Sequence, residues 1–346
     1  MRIGVIGAGA GAAAAAYVLE QSRPEAEVTV LEKSGGLCGR AATRRRDAVT
    51  YDYGANYVRD ADERVVELLT EGISTEGLVD IEGPIYTFDK AGTVSPGRES
   101  DHRKWTYRAG LTQVAKRLFA ATDAEINRRT RVQGLSRAGD AWHLTDTDGG
   151  AWGPFNALLC NPPAPQTAAL LSDAQWESGV RQELVEALEE VVFRTIWTAV
   201  LGYGSELDVP YYALVNPSKD HEVGWIAREE CKPGHVPAGE SVLVVQANHD
   251  WSVQHLSDSP KSITGDLAEL TASVVGEERL TDPEWADDQR WRYAIPENGV
   301  DSSVVDSAAE HGLYLLGDWV AGEGRLHAAL ANGLETGEQV AVDLVE

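Results

Sequence analysis

The chain opens with two apolar runs separated by a stretch of small residues. Ile3-Gly4-Val5-Ile6 and Val28-Thr29-Val30-Leu31 have the length and β-branched content of buried strands, and the alanine run at 12–16 between them favours helix. The pattern resumes with Gly110-Leu111-Thr112 leading a helix over Gln113 to Ala121, then short strands at Glu125-Ile126-Asn127 and Arg131 to Leu135. Ala141 to Thr145 and Ala151 to Phe155, joined by Asp146-Thr147-Asp148-Gly149-Gly150, read as a hairpin. Asn156 to Cys160 returns as a buried strand, stopped by Asn161-Pro162-Pro163.

Beyond this point the pattern changes. A helix is predicted near 179–190, followed by strands at Phe193 to Leu201, Tyr211 to Asn216, Val223 to Arg228 and Ser241 to Asn248. A helix over about 260–275 and a strand from Asp288 to Ile295 follow, and Gly312 to Leu316 is a last buried strand. Several β-rich runs with long connections predict an antiparallel sheet backed by helices. The expectation is an α/β protein. Residues 1–73, 105–165 and 286–346 form a discontinuous dinucleotide-binding domain. Residues 74–104 and 166–285 form a second, α+β substrate domain.

The first turn carries the chemistry. Gly7-Ala8-Gly9-Ala10-Gly11-Ala12 joins the first strand to the first helix. Gly7 permits the tight turn, Gly9 lets backbone approach a pyrophosphate, and Ala12 allows close packing of helix on sheet. The helix start, at Ala10 and Gly11, turns free N–H groups and the positive end of its dipole toward phosphate. Glu32 ends the second strand, 20 residues past Ala12, where it can accept hydrogen bonds from a ribose diol. An acid there argues against a 2′-phosphate, which leaves FAD or NAD.

The residues after Glu32 separate the two. Lys33-Ser34-Gly35-Gly36-Leu37-Cys38-Gly39-Arg40 is a second glycine-rich loop able to bend back over the same pyrophosphate, with Arg40 to neutralise it. Tyr51-Asp52-Tyr53-Gly54-Ala55-Asn56-Tyr57 offers small residues against which a flat ring can lie. Near the other end, Gly317-Asp318-Trp319 closes a buried strand and Arg325-Leu326-His327 begins a helix. Asp318 can hold a ribityl hydroxyl, and the helix start can face the flavin edge where negative charge appears on reduction.

These residues resemble the FAD-dependent amine-oxidase-like flavoproteins, and more narrowly the renalases, particularly their bacterial and archaeal relatives. Lys33 to Arg40 matches the family's Lys-Ser-x-Gly-x-Gly-Gly-Arg loop, with Cys38 in place of one glycine. Asp52 to Tyr57, Pro163-Ala164-Pro165-Gln166, Trp251-Ser252, Arg290 to Ala294, Gly317-Asp318-Trp319 and Gly324-Arg325 match further family stretches in order. The resemblance implies a glutathione-reductase/amine-oxidase type of FAD-binding Rossmann-like domain with non-covalent FAD. It implies that Gly54, Ala55 and Asn56 border the ring, and that Val132 meets the adenine through its backbone. It also implies oxidation of 2-dihydro and 6-dihydro isomers of NAD(P) by hydride transfer to flavin N5, with oxygen reoxidising the flavin to give hydrogen peroxide.

Such a reaction asks little of side chains, because a dihydropyridine is already a strong hydride donor. Asn56, Tyr57, His249, Trp251, Tyr293 and Trp319 are the candidates to stack on or orient a substrate. Against each stands an ordinary core or surface role; Arg290 could pair with a substrate phosphate or form a structural salt bridge. The eight histidines show no HExxH spacing and no CxxC is present, so no metal site is expected. The alternatives are an amine oxidase of polyamine or monoamine type, another dehydrogenase of the same superfamily such as a carotenoid desaturase, and a non-catalytic binding protein of the GDP-dissociation-inhibitor kind. An amine oxidase favours a lysine near N5, for which Lys261 is the one candidate.

Composition adds the setting. Acids number 55 and bases 30, a formal net charge of −25, and lysine occupies only positions 33, 90, 104, 116, 219, 232 and 261. An acidic, lysine-poor surface suits work in high salt, where counter-ions screen self-repulsion. It repels nucleic acid and acidic membranes, so a small-molecule substrate is the expected partner. Cys38, Cys160 and Cys231 fit a reducing, cytoplasmic compartment. The N-terminus is already a core strand, so no signal peptide is expected, and no apolar run reaches the ~20 residues of a membrane span.

Overall fold

The structure is a computed structural model that describes residues 1–98 and 102–344. The first element β1 (Arg2–Ile6) leads through the glycine turn into α1 (Ala10–Ser22) and β2 (Glu27–Glu32). With β3 (Glu125–Arg128), β4 (Ala157–Cys160) and β5 (Leu313–Leu315) they form a five-stranded sheet of order β3-β2-β1-β4-β5. Every pairing in it is parallel. The strand order reverses between β1 and β4, which opens a crevice at their carboxyl ends.

Small residues set the packing on one face. α1 is almost wholly buried and lies against α2 (Leu326–Asp343), the last helix. A Cβ on Gly333 would stand 2.2 Å from the Gly11 carbonyl oxygen, and one on Gly337 would stand 2.9 Å from that of Ala15. The two helices thus touch backbone to backbone. The other face is covered by the antiparallel strands Val132–Ala138, Ala141–Asp146 and Ala151–Phe155 and by helices Ala164–Ser172 and Gly179–Glu189. Trp142, Phe155, Leu171 and Leu184 pack there against Leu158 and Leu313 of the parallel sheet.

The second sheet has seven strands in the order Trp285–Pro296, Phe193–Tyr203, Ser241–Ala247, Val223–Arg228, Ala213–Val215, Ile85–Phe88 and Val94–Ser95. Neighbours are antiparallel except Ala213–Val215 with Ile85–Phe88. Trp197, Leu201, Leu243 and Val245 point to one face, beneath helix Pro260–Val275. Val200, Val242 and Val244 point to the other, against Val49 and Tyr51 of the N-terminal half. The period-2 alternation of these strands therefore divides one face for a helix from one face for the dinucleotide-binding half.

Two segments differ from the expected division of the chain. Trp285–Pro296 pairs along its length with Phe193–Tyr203, so residues 286–296 belong to the second sheet. Its half-exposed, charge-rich edge carries no apolar signature that would assign it. The helices between 164 and 189 pack on the parallel sheet instead of the second, because their apolar faces fit Trp142 and Leu158. Within 74–104, Leu78–Asp80 and Lys104–Tyr107 join Val58–Arg59 in a small sheet, while Ile85–Phe88 and Val94–Ser95 enter the large one. Residues 99–101 of that segment, and 345–346 at the end of the last, lie outside the described residues. Among the described residues, no helix is long and apolar enough to cross a membrane.

Candidate active site

The crevice between β1 and β4 is built from backbone. Gly7 adopts φ +88°, which an L side chain rarely tolerates, and its N–H donates to the Leu31 carbonyl at 2.8 Å. A Cβ on Gly9 would lie 2.2 Å from Asn161 Oδ1, and one on Gly11 would lie 3.6 Å from Gly317 N. The opening turn, the end of β4 and the Gly317-Asp318 turn therefore meet at one point. Asn161 holds that junction, donating from Nδ2 to the Leu316 carbonyl at 3.2 Å. Asn332 of α2 completes it by accepting from Gly317 N at 2.8 Å.

Glu32 is buried at the end of β2. Its Oε2 accepts from Ala8 N at 2.8 Å and its Oε1 from Ser34 N at 2.7 Å. Each oxygen keeps a lone pair for a further donor, as a ribose diol requires. Thr130 N donates to the Glu32 carbonyl at 2.8 Å, which carries the chain past Glu32 to Val132. Lys33 is exposed, with Nζ 3.2 Å from Gln166 Oε1.

The second glycine loop folds back over the first: Cys38 N donates to the Ala8 carbonyl at 2.9 Å. Cys38 takes φ +75°, a left-handed conformation that explains why glycine is the ordinary residue there. Burial pushes its thiol up to about 12, so it carries no thiolate at neutral pH. Gly39 follows at φ +54°. Arg40 then pairs with Asp318, Nη1 to Oδ2 at 2.9 Å and Nη2 to Oδ1 at 2.5 Å, and also donates to the Ala294 carbonyl at 2.9 Å. The two groups expected to serve a pyrophosphate and a ribityl chain separately are locked to each other.

A strip formed by Gly54, Ala55 and Asn56 continues the crevice. Ala55 N donates to the Arg40 carbonyl at 2.9 Å, and a Cβ on Gly54 would lie 2.0 Å from that oxygen. Gln246 of the second sheet donates from Nε2 to the Gly54 carbonyl at 2.7 Å, and Asn56 Nδ2 donates to it at 3.1 Å. Asn56 Oδ1 is buried without a partner among the described residues. Tyr57 meets Tyr212 and Trp225 with ring centroids 6.5 and 6.4 Å away, and those two rings are 6.3 Å apart. Burial raises the Tyr57 hydroxyl's pKa, and Arg325 and Arg59 counter it from close by.

The other expected residues divide. Trp319 is fully buried beside Gly317, its Nε1 without a partner among the described residues. Tyr293 packs edge-on against Phe193, 5.8 Å between centroids, and Phe193 lies under Arg40. Leu326 and His327 are buried at the start of α2; His327 Nε2 is 3.5 Å from Glu323 Oε1, and burial lowers its pKa. His249 and Trp251 lie elsewhere. His249 Nδ1 accepts from Thr195 N at 2.9 Å, and Trp251 sits in the helix-backed core stacked on His255. The short helix His249–Gln254 turns Trp251 into the helix-backed face of the sheet. Arg290 donates from Nη1 to the Leu256 carbonyl at 2.8 Å. Lys261 is exposed in the first turn of the backing helix.

One buried cluster escaped the sequence reading. Asp52, Glu229, Lys232 and His235 are fully buried together, two residues before Gly54. Lys232 Nζ lies 3.1 Å from Asp52 Oδ2 and 2.6 Å from Glu229 Oε1. His235 contacts Glu229 Oε2 through Nδ1 at 2.8 Å and the Tyr107 carbonyl through Nε2 at 2.9 Å. Burial pushes Asp52 up, but the Lys232 and His235 charges outweigh it and hold its pKa low. Burial likewise opposes the charged form of His235, and Glu229 overcomes it, so its pKa is raised. Asp52, Glu229 and His235 bring ligand atoms within 4.8 Å of one another, but the Lys232 ammonium already stands between the two carboxylates. Only their place in the fold identifies these residues, since nothing in their spacing signals a quartet.

Comparison with known proteins agrees with this architecture. The NAD(P)-binding Rossmann-like domain family matches residues 5–71. Many solved structures are similar along essentially the whole chain, among them three flavoprotein-fold examples of different reactions. A protein designated protoporphyrinogen oxidase, from Exiguobacterium sp. 255-15, has a TM-score of 0.80 at 16% identity, covering 100% of this chain and 99% of its own. Cyclohexylamine oxidase from Brevibacterium oxydans IH-35A has a TM-score of 0.76 at 12% identity, covering 100% and 99%. Reduced UDP-galactopyranose mutase has a TM-score of 0.76 at 11% identity, covering 100% and 94%. The chain has the FAD-dependent amine-oxidase-type fold, with a separate sheet-rich domain. That fold hosts an amine oxidase and a mutase alike, so the reaction must be argued from the site.

Proposed function

We propose that the protein is an FAD-dependent oxidoreductase of renalase-like activity, oxidising 2-dihydro and 6-dihydro isomers of NAD(P). The residues described fit non-covalent FAD. Glu32 suits the ribose, the bare backbone of Gly9 and Gly11 suits the pyrophosphate, and the Gly54–Asn56 strip suits the ring. FAD, when bound, supplies the hydride acceptor and passes electrons to oxygen to give hydrogen peroxide.

The observation that carries the substrate reading is the character of the corner beside Asn56. Tyr57, Tyr212 and Trp225 form uncharged aromatic walls. Glu229 behind Tyr212 is neutralised by Lys232, and Arg59 and Arg325 flank Tyr57. Such a pocket stacks a planar neutral ring and receives an attached phosphate. Among the described residues the carboxylates near it are paired, Glu229 with Lys232 and His235 and Glu323 with Arg59, which favours a neutral ring over a cationic amine. Stacking orients the ring, the aromatic walls exclude water, and no base is needed to take a proton from nitrogen.

Amine oxidation is the second reading, favoured by the similarity to cyclohexylamine oxidase. Anaerobic mixing decides between them. The purified protein is expected to be yellow and to bleach with borohydride-generated dihydro-NAD isomers far faster than with spermine or cyclohexylamine. Bleaching by amines alone overturns the renalase-like reading. The net charge of −25 supports work at high salt. An unfolding midpoint that fails to rise from dilute buffer into molar potassium chloride counts against that setting.

A further inference from the structure

Four aromatic rings lead from the Gly54 strip into the seam between the two halves. A Cβ on Gly54 would lie 3.1 Å from Trp291 Cζ2, so the Trp291 ring touches the strip there. Trp291 stacks on Tyr53, 5.3 Å between centroids and 18° between planes, and its Nε1 donates to the Tyr53 carbonyl at 3.1 Å. Tyr51 stands two residues before Tyr53. Arg44, opposite Tyr51 in the register of the hairpin Thr43–Arg46 with Val49–Asp52, lies over the Tyr53 ring at 4.2 Å. Tyr51 meets the fourth ring, Trp285, at 5.8 Å between centroids. One member differs from the rest. Tyr51 is buried, and its hydroxyl donates to Asp287 Oδ2 at 2.7 Å. Arg44 Nη1 donates to the same oxygen at 2.9 Å, and Asp288 N to Oδ1 at 2.9 Å, which holds Asp287 as a carboxylate.

Tryptophan and tyrosine are the aromatic side chains most easily oxidised by one electron, and rings in contact exchange electrons readily. Where the charge comes to rest depends on what surrounds each ring. Arg44 over Tyr53 and Arg46 over Trp285, 5.1 Å from its centroid, repel a positive charge on either. Tyr51 escapes this penalty, because its phenolic proton has a base to go to and its oxidised form is neutral. We propose that Tyr51 is a redox-active tyrosine, reached from the flavin strip through Trp291 and Tyr53, with Asp287 as its proton acceptor. The inference rests on the flavin reading above, which puts a ring at Gly54. The step balances within the protein. A one-electron oxidant at the strip, for which the oxidised flavin excited by blue light is the defined case, takes an electron from Trp291. Tyr51 refills Trp291 by way of Tyr53. The Tyr51 O–H bond breaks, its proton passes to Asp287 Oδ2, and a neutral phenoxyl radical faces a neutral carboxylic acid. Return of the electron and the proton restores the starting state. Burial of Tyr51 shields the radical from solvent.

Blue-light flashes on the anaerobic holoenzyme test this, followed by transient absorption and by electron paramagnetic resonance of samples frozen under illumination. A neutral tyrosyl radical is expected, and it should form more slowly in heavy water. Tyr51→Phe should abolish it. Asp287→Asn keeps an acceptor oxygen but no carboxylate to take the proton, and should abolish it too. Trp291→Phe should lengthen the flavin fluorescence lifetime and cut the radical yield. Trp285→Phe lies beyond Tyr51 and should leave the yield as in the parent, which separates a broken path from a disturbed seam. A radical that survives Tyr51→Phe, that is indifferent to Asp287→Asn or Trp291→Phe, or that Trp285→Phe removes as completely as Trp291→Phe does overturns the relay. A yellow protein that forms no tyrosyl radical overturns the relay alone, whereas a colourless protein overturns the flavin reading along with it.

Discussion

The Arg40 guanidinium grips the Asp318 carboxylate through two parallel bonds, at 2.9 and 2.5 Å, across 278 residues of sequence. Asp318 is almost fully buried and Arg40 is about a quarter exposed. The pair joins the second glycine loop to the turn that follows β5, and so fixes the two chain ends around one crevice. Bidentate geometry sets distance and angle together, which a single contact would not.

Removing Arg40 leaves a buried carboxylate without its partner. Arg40→Met is expected to destabilise the fold by roughly 1–3 kcal/mol, between the values of exposed and buried pairs. Urea unfolding measures this. Arg40→Lys should recover only part of the loss, because an ammonium cannot reproduce the fork. Full recovery with lysine would mean that charge alone matters.

The contact of α1 with α2 allows no methyl group at its centre. Gly333→Ala places a Cβ 2.2 Å from the Gly11 carbonyl oxygen, a backbone atom that cannot rotate away. The helices must separate, at a cost of roughly 1–3 kcal/mol for overpacking, and the opening turn moves with them. A lower thermal midpoint together with weaker retention of the flavin is the expected result. An unchanged midpoint would show that the helices part freely.

Glu32 has two duties that one substitution can separate. Glu32→Gln retains an acceptor oxygen but presents an amide where Ala8 N or Ser34 N now donates. Loss of a hydrogen bond to a charged group is worth roughly 1.5–3 kcal/mol, so dialysis should strip the flavin more readily from the variant. Retention equal to the parent would remove Glu32 from nucleotide binding.

The local half of this site was legible because its chemistry is backbone chemistry with short spacing. Gly7, Gly9 and Glu32 lie in one β–α–β unit, where neighbours in sequence are neighbours in space. The helix Pro260–Val275 and the strand Val223–Arg228 were equally readable from periodicity. Long-range geometry was not. Trp251 belongs to a motif, but the short helix after Ala247 carries it into the core on the opposite face of the sheet. Gln246 carries no motif, and becomes notable only because the fold sets it against the Gly54 carbonyl. Trp285–Pro296 was divided wrongly between the halves because strand pairing across 80 or more residues leaves no local trace.

The quartet of Asp52, Glu229, Lys232 and His235 gives stability a pH dependence whose sign follows from the directions of its shifts. His235 has a raised pKa in the folded protein. Its contribution is complete below its ordinary 6.5 and is lost as pH rises through the folded-state value. Asp52 is held below its ordinary 3.8, so its contribution is complete above 3.8 and is lost as pH falls through the folded-state value. Both are present in full in mildly acidic solution, between 3.8 and 6.5. Geometry supports the same conclusion: the Tyr107 carbonyl and the Glu229 carboxylate each face a ring nitrogen of His235, and both are satisfied when the imidazole carries two protons. Losing one leaves a net negative charge buried beside Gly54. His235→Gln should therefore lower the unfolding midpoint most at pH 6, and the gap from the parent should narrow as pH is raised toward 10. A gap that stays constant, or widens, would show that the imidazole is neutral in the native protein.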